Sequence, residues 1–381
     1  MKFTNDYTIE EIDNGSSSVE TTINWSLGNF QKITLVGGGW STTSPLNTAR
    51  YFHAGCGTYL NALAIGGNNI GDSIINSTEK WSGSSWSTTA AMSINRNLSA
   101  ACGSVSSALV FGGTSTDSAI SNTEKWSGSS WATTVNMNTA VYDHAGCGNA
   151  SAALAFGGYS SASTNGTQIW SGTAWTSTSS LNTARYNLSG CGTTSAALSY
   201  CGCTSDTEII SIVEKWSGSS WATTGSLNVV RDRMGSCGTT SDAISFGGQT
   251  STVTISNLTE IWNGTSWATT SSMIQAVIWP SGCGDISHAL AAGGSTLLAS
   301  FMTQLWHSES YISFTAPPDK GLLSLKLVQG SGGSKKVNWV DNNILIGSNN
   351  GILSTVEGQI DIMEIRYDGT NYFCNIFKNY T

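Results

Sequence analysis

Charge is what this 381-residue chain has least of: Asp, Glu, Lys and Arg make up 10% of it, against roughly a quarter of an average soluble domain. Proline is nearly missing too, with 4 residues, and there are only 4 histidines. No apolar run approaches the roughly 18 residues that cross a bilayer as a helix, which predicts no membrane insertion. Residues 1–6 lack the apolar core of a secretory leader, so the expectation is a protein that folds in the cytoplasm where it is made. With 16 basic residues against 24 acidic, the net charge is −8, a poor basis for gripping nucleic acid or an anionic membrane surface. Disorder is excluded by what is present: disordered chains lack aromatics, and this one carries 15 Trp, 11 Tyr and 10 Phe.

Nine cysteines in a chain this long do not make a disulfide-stapled miniprotein, and their positions matter more than their number. Cys56, Cys102, Cys147, Cys191, Cys237 and Cys283 are spaced by 46, 45, 44, 46 and 46 residues. That is an internal repeat, which has to be settled before any element is assigned. Each unit opens on a Trp and a Ser/Thr-rich stretch, such as Trp86-Ser87-Thr88-Thr89, and the Cys follows 16 residues after that Trp in every copy. Ten residues after the Cys stands a glycine pair, as at Gly112-Gly113, with Cys201-Gly202 as the variant. Then come a polar loop, a strand such as Thr123-Glu124-Lys125-Trp126, a tight turn, and the next Trp.

Only one interval varies. From the second Gly to the Trp of the third strand it is 14, 13, 12, 14, 14 and 12 residues. Fixed spacing marks packed strands and variable spacing a solvent loop, so the unit reads as four short strands with its length variation between the second and third. A ~45-residue, four-stranded repeat punctuated by Gly and Trp predicts a β-propeller. There are six first strands but the fourth-strand Trp set begins at Trp40, ahead of any of them. The expectation is therefore six blades, the sixth completed by the strand around Trp40, with Tyr311 as the rival for that place. Such closure would pair otherwise open edges.

The repeat resembles the kelch repeat over about residues 36–307. Ala108-Leu109-Val110-Phe111-Gly112-Gly113 matches its second strand, Trp126 its third-strand aromatic and Trp131 its fourth-strand Trp. Arg50, Arg96, Arg185 and Arg231 stand where kelch blades often carry an Arg before the first strand, and Val141 and Val277 break that series.

Residues 1–35 and 308–381 lie outside the repeat. Segments 325–328, 336–339 and 360–365 alternate with period two, as strands do, and Asp368-Gly369 reads as a hairpin turn. Residues 22–29, 31–35, 314–318, 323–329, 336–339 and 360–372 together resemble a small β-domain of tailed-bacteriophage tail and other virion proteins. The resemblance implies an all-β chain in which a kelch-like propeller, 36–307, is inserted into a discontinuous sandwich or barrel-like domain, 1–35 plus 308–381.

Catalytic and metal chemistry finds little support in the residues. Each repeat Cys is flanked by small residues, as in Gly146-Cys147-Gly148, which suits packing in a narrow central channel; a six-fold thiolate ring fits no common metal site. His53 and His144 occupy one repeat position that Ser99, Leu188, Met234 and Pro280 fill elsewhere, a scatter expected of ordinary structural residues. No nucleophile elbow or phosphate loop occurs, since no helix follows the Gly pairs. The Glu-Lys-Trp at 79–81, 124–126 and 214–216 reads as blade geometry, and the paired Trp residues as packing between blades, with stacking on sugar rings as the alternative.

No enzyme, cofactor or metal is expected. The flank resemblance implies a virion protein made in the host cytoplasm, a tail fibre, adhesin or capsid decoration protein, oligomeric in the particle. Its split domain would hold other virion proteins and its propeller would meet a host-surface glycan or receptor. The alternatives are a depolymerase-like glycan enzyme and a cellular kelch interaction scaffold. The expected binding face carries the variable loops 68–77, 114–122, 159–167, 203–212, 249–258 and 295–303, with Arg50, Arg96, Arg185, Arg231, Tyr159, Asn165 and Gln249 as candidate binding residues.

Overall fold

The computed structural model describes residues 39–116, 118–251, 254–296 and 303–307, and outside that stretch the strands at 6–10, 20–24, 33–36, 311–314, 321–328, 344–346, 360–367 and 372–380. Among them every regular element is a β-strand. The chain divides into two compact units, Gly39–His307 and a second made of Met1–Gly38 with Ser308–Thr381.

The first unit is a six-bladed β-propeller of four-stranded antiparallel sheets. In the second blade the order is Ala100–Ser104, Ser107–Phe111, Thr123–Trp126 and Trp131–Thr134, running from the central axis outward. The sixth blade contains Ser281–Gly284, His288–Ala292 and Thr303–His307, and its outermost strand is Gly39–Thr43 from the other end of the unit. Trp306 lies opposite Trp40 in that ladder. Trp40 thus completes the ring, and Tyr311 instead pairs with Val36 in the second unit.

Side-chain pattern explains the layering. Second strands such as Leu109-Val110-Phe111 are buried throughout, because each is covered on both faces by neighbouring blades, and they read as continuous apolar runs. Outer strands such as Trp86-Ser87-Thr88-Thr89 bury the Trp and expose two of the other three residues, giving the sheet edge a polar rim. The apolar clusters lie between blades: Cys102, Leu109 and Phe111 of the second pack with Ala153, Ala155, Trp170 and Trp175 of the third. The second-strand aromatic meets the next blade's outer Trp, with ring centroids 5.0 Å apart for Phe111–Trp175 and 4.8 Å for Phe246–Trp40.

The glycine pair has a steric cause. Gly112 and Gly113 hold φ of 64° and 94°, and a Cβ on them would lie 2.7 Å from the Val141 carbonyl oxygen and 2.3 Å from that of Asn97. At the variant pair Cys201 adopts the same left-handed conformation, at φ 57°.

Each third-strand Trp donates its indole N–H to a carbonyl in its own blade's inner hairpin, from Trp81 to Tyr59 at 2.8 Å through Trp306 to Ile286 at 3.1 Å. The outer Trp residues reach across blades to a threonine hydroxyl: Trp131 to Thr78, Trp175 to Thr123, Trp221 to Thr167 and Trp40 to Thr259. The other two make no such bond: Trp267 Nε1 is buried without a hydrogen-bond partner where Val213 replaces the threonine, and Trp86 Nε1 is buried without one although Thr303 is present.

In the second unit a sheet runs Asp6–Glu10, Glu20–Asn24, Gly321–Val328, Ile360–Tyr367, Tyr372–Tyr380 and Ile344–Ile346, with Ile33–Val36 and Tyr311–Phe314 as a separate ladder. The expected sandwich or barrel goes beyond this sheet and ladder. Tyr367 faces Tyr372, so the strands flank the expected Asp368-Gly369 turn. That turn, the expected strand at 336–339 and the segment 315–318 lie outside the described residues.

Candidate functional site

The four arginines are not a binding surface. Arg50, Arg96, Arg185 and Arg231 are wholly buried, each paired inside its own blade with Glu79, Glu124, Glu214 or Glu260 at 2.6 to 3.3 Å. The carboxylates in turn accept backbone N–H bonds from the incoming connection, as from Asn47 to Glu79 at 2.7 Å and from Asn228 to Glu260 at 2.8 Å. Burial pulls the guanidinium pKa of Arg50 and Arg96 down, and the neighbouring glutamate opposes it. These pairs lock each connection to its blade. They read as surface residues from sequence because a lone Arg ahead of a strand gives no sign of its partner some 29 residues later.

Two further candidates make structural hydrogen bonds, Gln249 from a buried position and Asn165 from an exposed one. Gln249 is buried and its backbone exchanges hydrogen bonds with Asp232, at 3.1 Å each way. Asn165 donates its amide to the Leu181 carbonyl at 3.1 Å, a tie that Asn76 and Asn257 repeat in their blades. Tyr159 is half-buried, with the rings of Tyr142 at 5.5 Å and Tyr186 at 5.2 Å.

What the structure builds on this face is a ring. Phe52, Leu98, Asp143, Asn187, Arg233 and Trp279, each four residues before its repeat Cys, all adopt left-handed φ between 51° and 57°. From Leu98 onward the conformation turns each N–H toward the preceding blade. Leu98 donates to Phe52, Asp143 to Leu98, Asn187 to Asp143, Arg233 to Asn187 and Trp279 to Arg233, at 2.9 to 3.1 Å. Such a conformation is costly for a residue with a Cβ, and the chain of hydrogen bonds offsets it.

The ring opens onto the central channel, a cavity of about 270 Å³ lined by all six first strands. The residues just outside it bridge to the first residues of the variable loops, as Tyr142 does to Tyr159 and Tyr186 to Cys203. Two aromatic groups flank the mouth. Phe52 packs on Tyr51 at 4.6 Å and on Trp279 at 4.2 Å, with the Arg233 guanidinium 5.1 Å from the Trp279 ring centre. Across the ring stand Tyr142, Tyr159 and Tyr186, the last donating to Asp206 at 2.5 Å.

Titratable groups gather on the tyrosine side. Burial pushes the Asp143 carboxyl up to about 7, against the pull of Arg233 and with a small push from Asp232. Asp232 is itself raised by burial, accepts from Cys203 Sγ at 2.9 Å and lies 3.6 Å from Arg233. Sequence reasoning passed over the ring residues. Their signal was there: they are the unlike residues within an otherwise regular stretch between Arg or Val and Cys.

Inside the channel the six repeat cysteines are buried free thiols, with those of Cys56 and Cys191 pushed up to about 12 by burial. Such thiols are neutral and unreactive. Among the described residues no group of three or more His, Cys, Asp or Glu is placed to hold a metal ion. His53 and His144 are buried at blade interfaces with neither ring nitrogen hydrogen-bonded.

No protein-family model matches the chain, and no curated protein matches it in sequence.

Proposed function

We propose that the protein is a non-enzymatic attachment or decoration protein of a virion, and that its propeller meets neutral glycans on a host surface with the face around the channel mouth. The observation that carries the reading is the pair of aromatic groups on either side of that mouth, Tyr51/Phe52/Trp279 and Tyr142/Tyr159/Tyr186, half-exposed except for the buried Tyr186. Apolar sugar faces stack on such rings, and the Ser/Thr/Asn-rich loops around them offer hydrogen bonds without charge. The blades are read as kelch repeats from the Gly pair, the two Trp positions and the buried arginines. The particle context, a tailed bacteriophage, rests on the likeness of the flanking segments, which would hold other virion proteins and bring copies together; a fold alone gives no function.

The test is adsorption of particles to host cells and binding to a panel of immobilised neutral glycans. Trp279→Ala and Tyr159→Ala, each shown to be folded by circular dichroism, are expected to weaken binding by about tenfold or more, the worth of one stacking contact. Wild-type binding in both variants would remove the reading.

A second reading, a glycan-cleaving enzyme, draws on Asp143. A carboxyl raised to about 7 is the form a general acid takes at neutral pH, and Asp232 is a second carboxyl close enough to bias it. Release of reducing ends from host polysaccharide by the wild type, lost in Asp143→Asn, would favour this reading.

A further inference from the structure

Two blades depart from the arginine–glutamate arrangement, and both positions change together. Val141 with Gln168 in the third blade, and Val277 with Gln304 in the sixth, stand where Arg and Glu stand in the other four. In three of those four the guanidinium fills the same cradle of two carbonyls, while Arg185 keeps the Ile212 carbonyl and turns to Ser199 for the other. Arg50 donates to the carbonyls of Gly66 at 3.1 Å and Ser77 at 2.9 Å, and Arg231 to those of Gly247 at 2.7 Å and Leu258 at 2.9 Å. The third blade's corresponding carbonyls belong to Gly157 and Gly166. With valine in place of arginine, nothing from the chain fills the slot, and a cavity of about 100 Å³ remains, lined by Met137, Val141, Phe156, Gly157, Gly166 and Gln168 together with several Ser and Thr residues.

The chemistry of this slot is specific. Gly157 and Gly166 offer the acceptor positions used elsewhere by guanidinium. Gln168 Oε1 is engaged by the Asn138 N–H at 2.8 Å, which leaves the Nε2 end of the amide as the donor this side chain can offer to the cavity it lines. Val141, Met137 and Phe156 supply an apolar wall. No carboxylate remains, so a buried cation entering here would go without its counter-charge, at a heavy cost. The fitting occupant is small and neutral, with one N–H, one carbonyl and one methyl. A ~150 Å³ cavity holds a six-membered carbon ring, so this smaller one suits a group of about four heavy atoms. The slot lies on the variable-loop face, since Gly166 closes the third blade's loop and Met137 and Val141 belong to the connection entering that blade.

We infer that the vacated arginine slot of the third blade is a subsite for the acetamido group of an N-acetylated sugar. The inference rests on the glycan-attachment reading and narrows its ligand to amino sugars. The acetamido N–H donates to the Gly157 or Gly166 carbonyl, its oxygen accepts from Gln168 Nε2, and its methyl meets Val141 and Phe156.

The experiment uses the full chain, with acetamide, methyl N-acetylglucosaminide and methyl glucoside as probes in ligand-observed NMR. The double variant V141R/Q168E rebuilds the pair that four sister blades already fold with, and Val141→Phe fills the slot with apolar bulk alone. Acetamide and the N-acetylated glycoside are expected to bind wild type, and to lose at least tenfold in affinity in whichever of the variants is folded. Absence of acetamide binding in the wild type, or its survival in the filled variants, overturns the inference. Acetamide binding without binding of the N-acetylated glycoside overturns the sugar assignment and favours a carboxamide of a protein partner. Failure of the attachment reading is separately visible, as unchanged adsorption in Trp279→Ala and Tyr159→Ala.

Discussion

The Trp40 ring packs against Trp306 with centroids 5.8 Å apart, the two residues facing one another in an antiparallel ladder although they come from opposite ends of the propeller's sequence. Every other blade makes the same Trp–Trp contact between neighbouring strands, as Trp81–Trp86 does at 5.4 Å. In the sixth blade that local contact has become the closure of the ring.

Breaking it should therefore cost the whole propeller, not one blade. Trp40 is buried and also donates to Thr259 of the fifth blade at 2.8 Å. Trp40→Ala is expected to lower unfolding free energy by about 3–5 kcal/mol, read by urea unfolding. Trp131→Ala, at a position that is only half-buried, is expected to cost less. Equal losses would show that closure adds nothing to ordinary packing.

The buried ion pairs allow a sharper test. Glu124→Gln leaves the Arg96 guanidinium buried without its counter-charge, now 2.8 Å away, and is expected to destabilise by about 3–5 kcal/mol. Adding Arg96→Val recreates the Val/Gln combination of the third and sixth blades and should recover most of that loss. The double-mutant cycle reads the coupling directly; strict additivity of the two losses would contradict the account.

Trp267 gives a gain-of-stability prediction. Its indole N–H is buried without a partner, and in four other blades the equivalent N–H reaches a threonine hydroxyl at 2.8 to 3.0 Å. Val213→Thr restores that acceptor and is expected to stabilise by about 1 kcal/mol, seen as a higher urea midpoint at unchanged slope.

Two histidines set an acid limit. Burial holds His53 at about 3 and His144 at about 4, against an ordinary value of 6.5. The unfolded chain therefore binds protons that the native state refuses, and stability is lost as pH falls from about 6.5 toward 4. Leu188 fills the same repeat position in the fourth blade, so His144→Leu should fold and should flatten the fall of melting temperature over that range. An unchanged pH profile would mean that the imidazole is protonated in the folded protein.

The repeat length, the six blades, the closing strand at Trp40 and the all-β class were legible in the sequence, because each depends on spacing along one chain. Glycine pairs and indole positions recur at fixed intervals where strands pack, and loops drift where solvent tolerates length. The surface was not legible in the same way. Arg96 and Glu124 are far apart in sequence and meet only when the connection folds back over its own blade, so an apparent row of exposed cations became a set of internal locks. The ring from Phe52 to Trp279 depends on hydrogen bonds between consecutive blades, contacts that no single repeat contains. The third blade's empty slot exists only because Val141 and Gln168 line a cradle whose carbonyls come from strand ends elsewhere in the blade. Periodicity fixes what repeats within a blade; what differs between blades acquires meaning only when the ring sets the differing residues side by side.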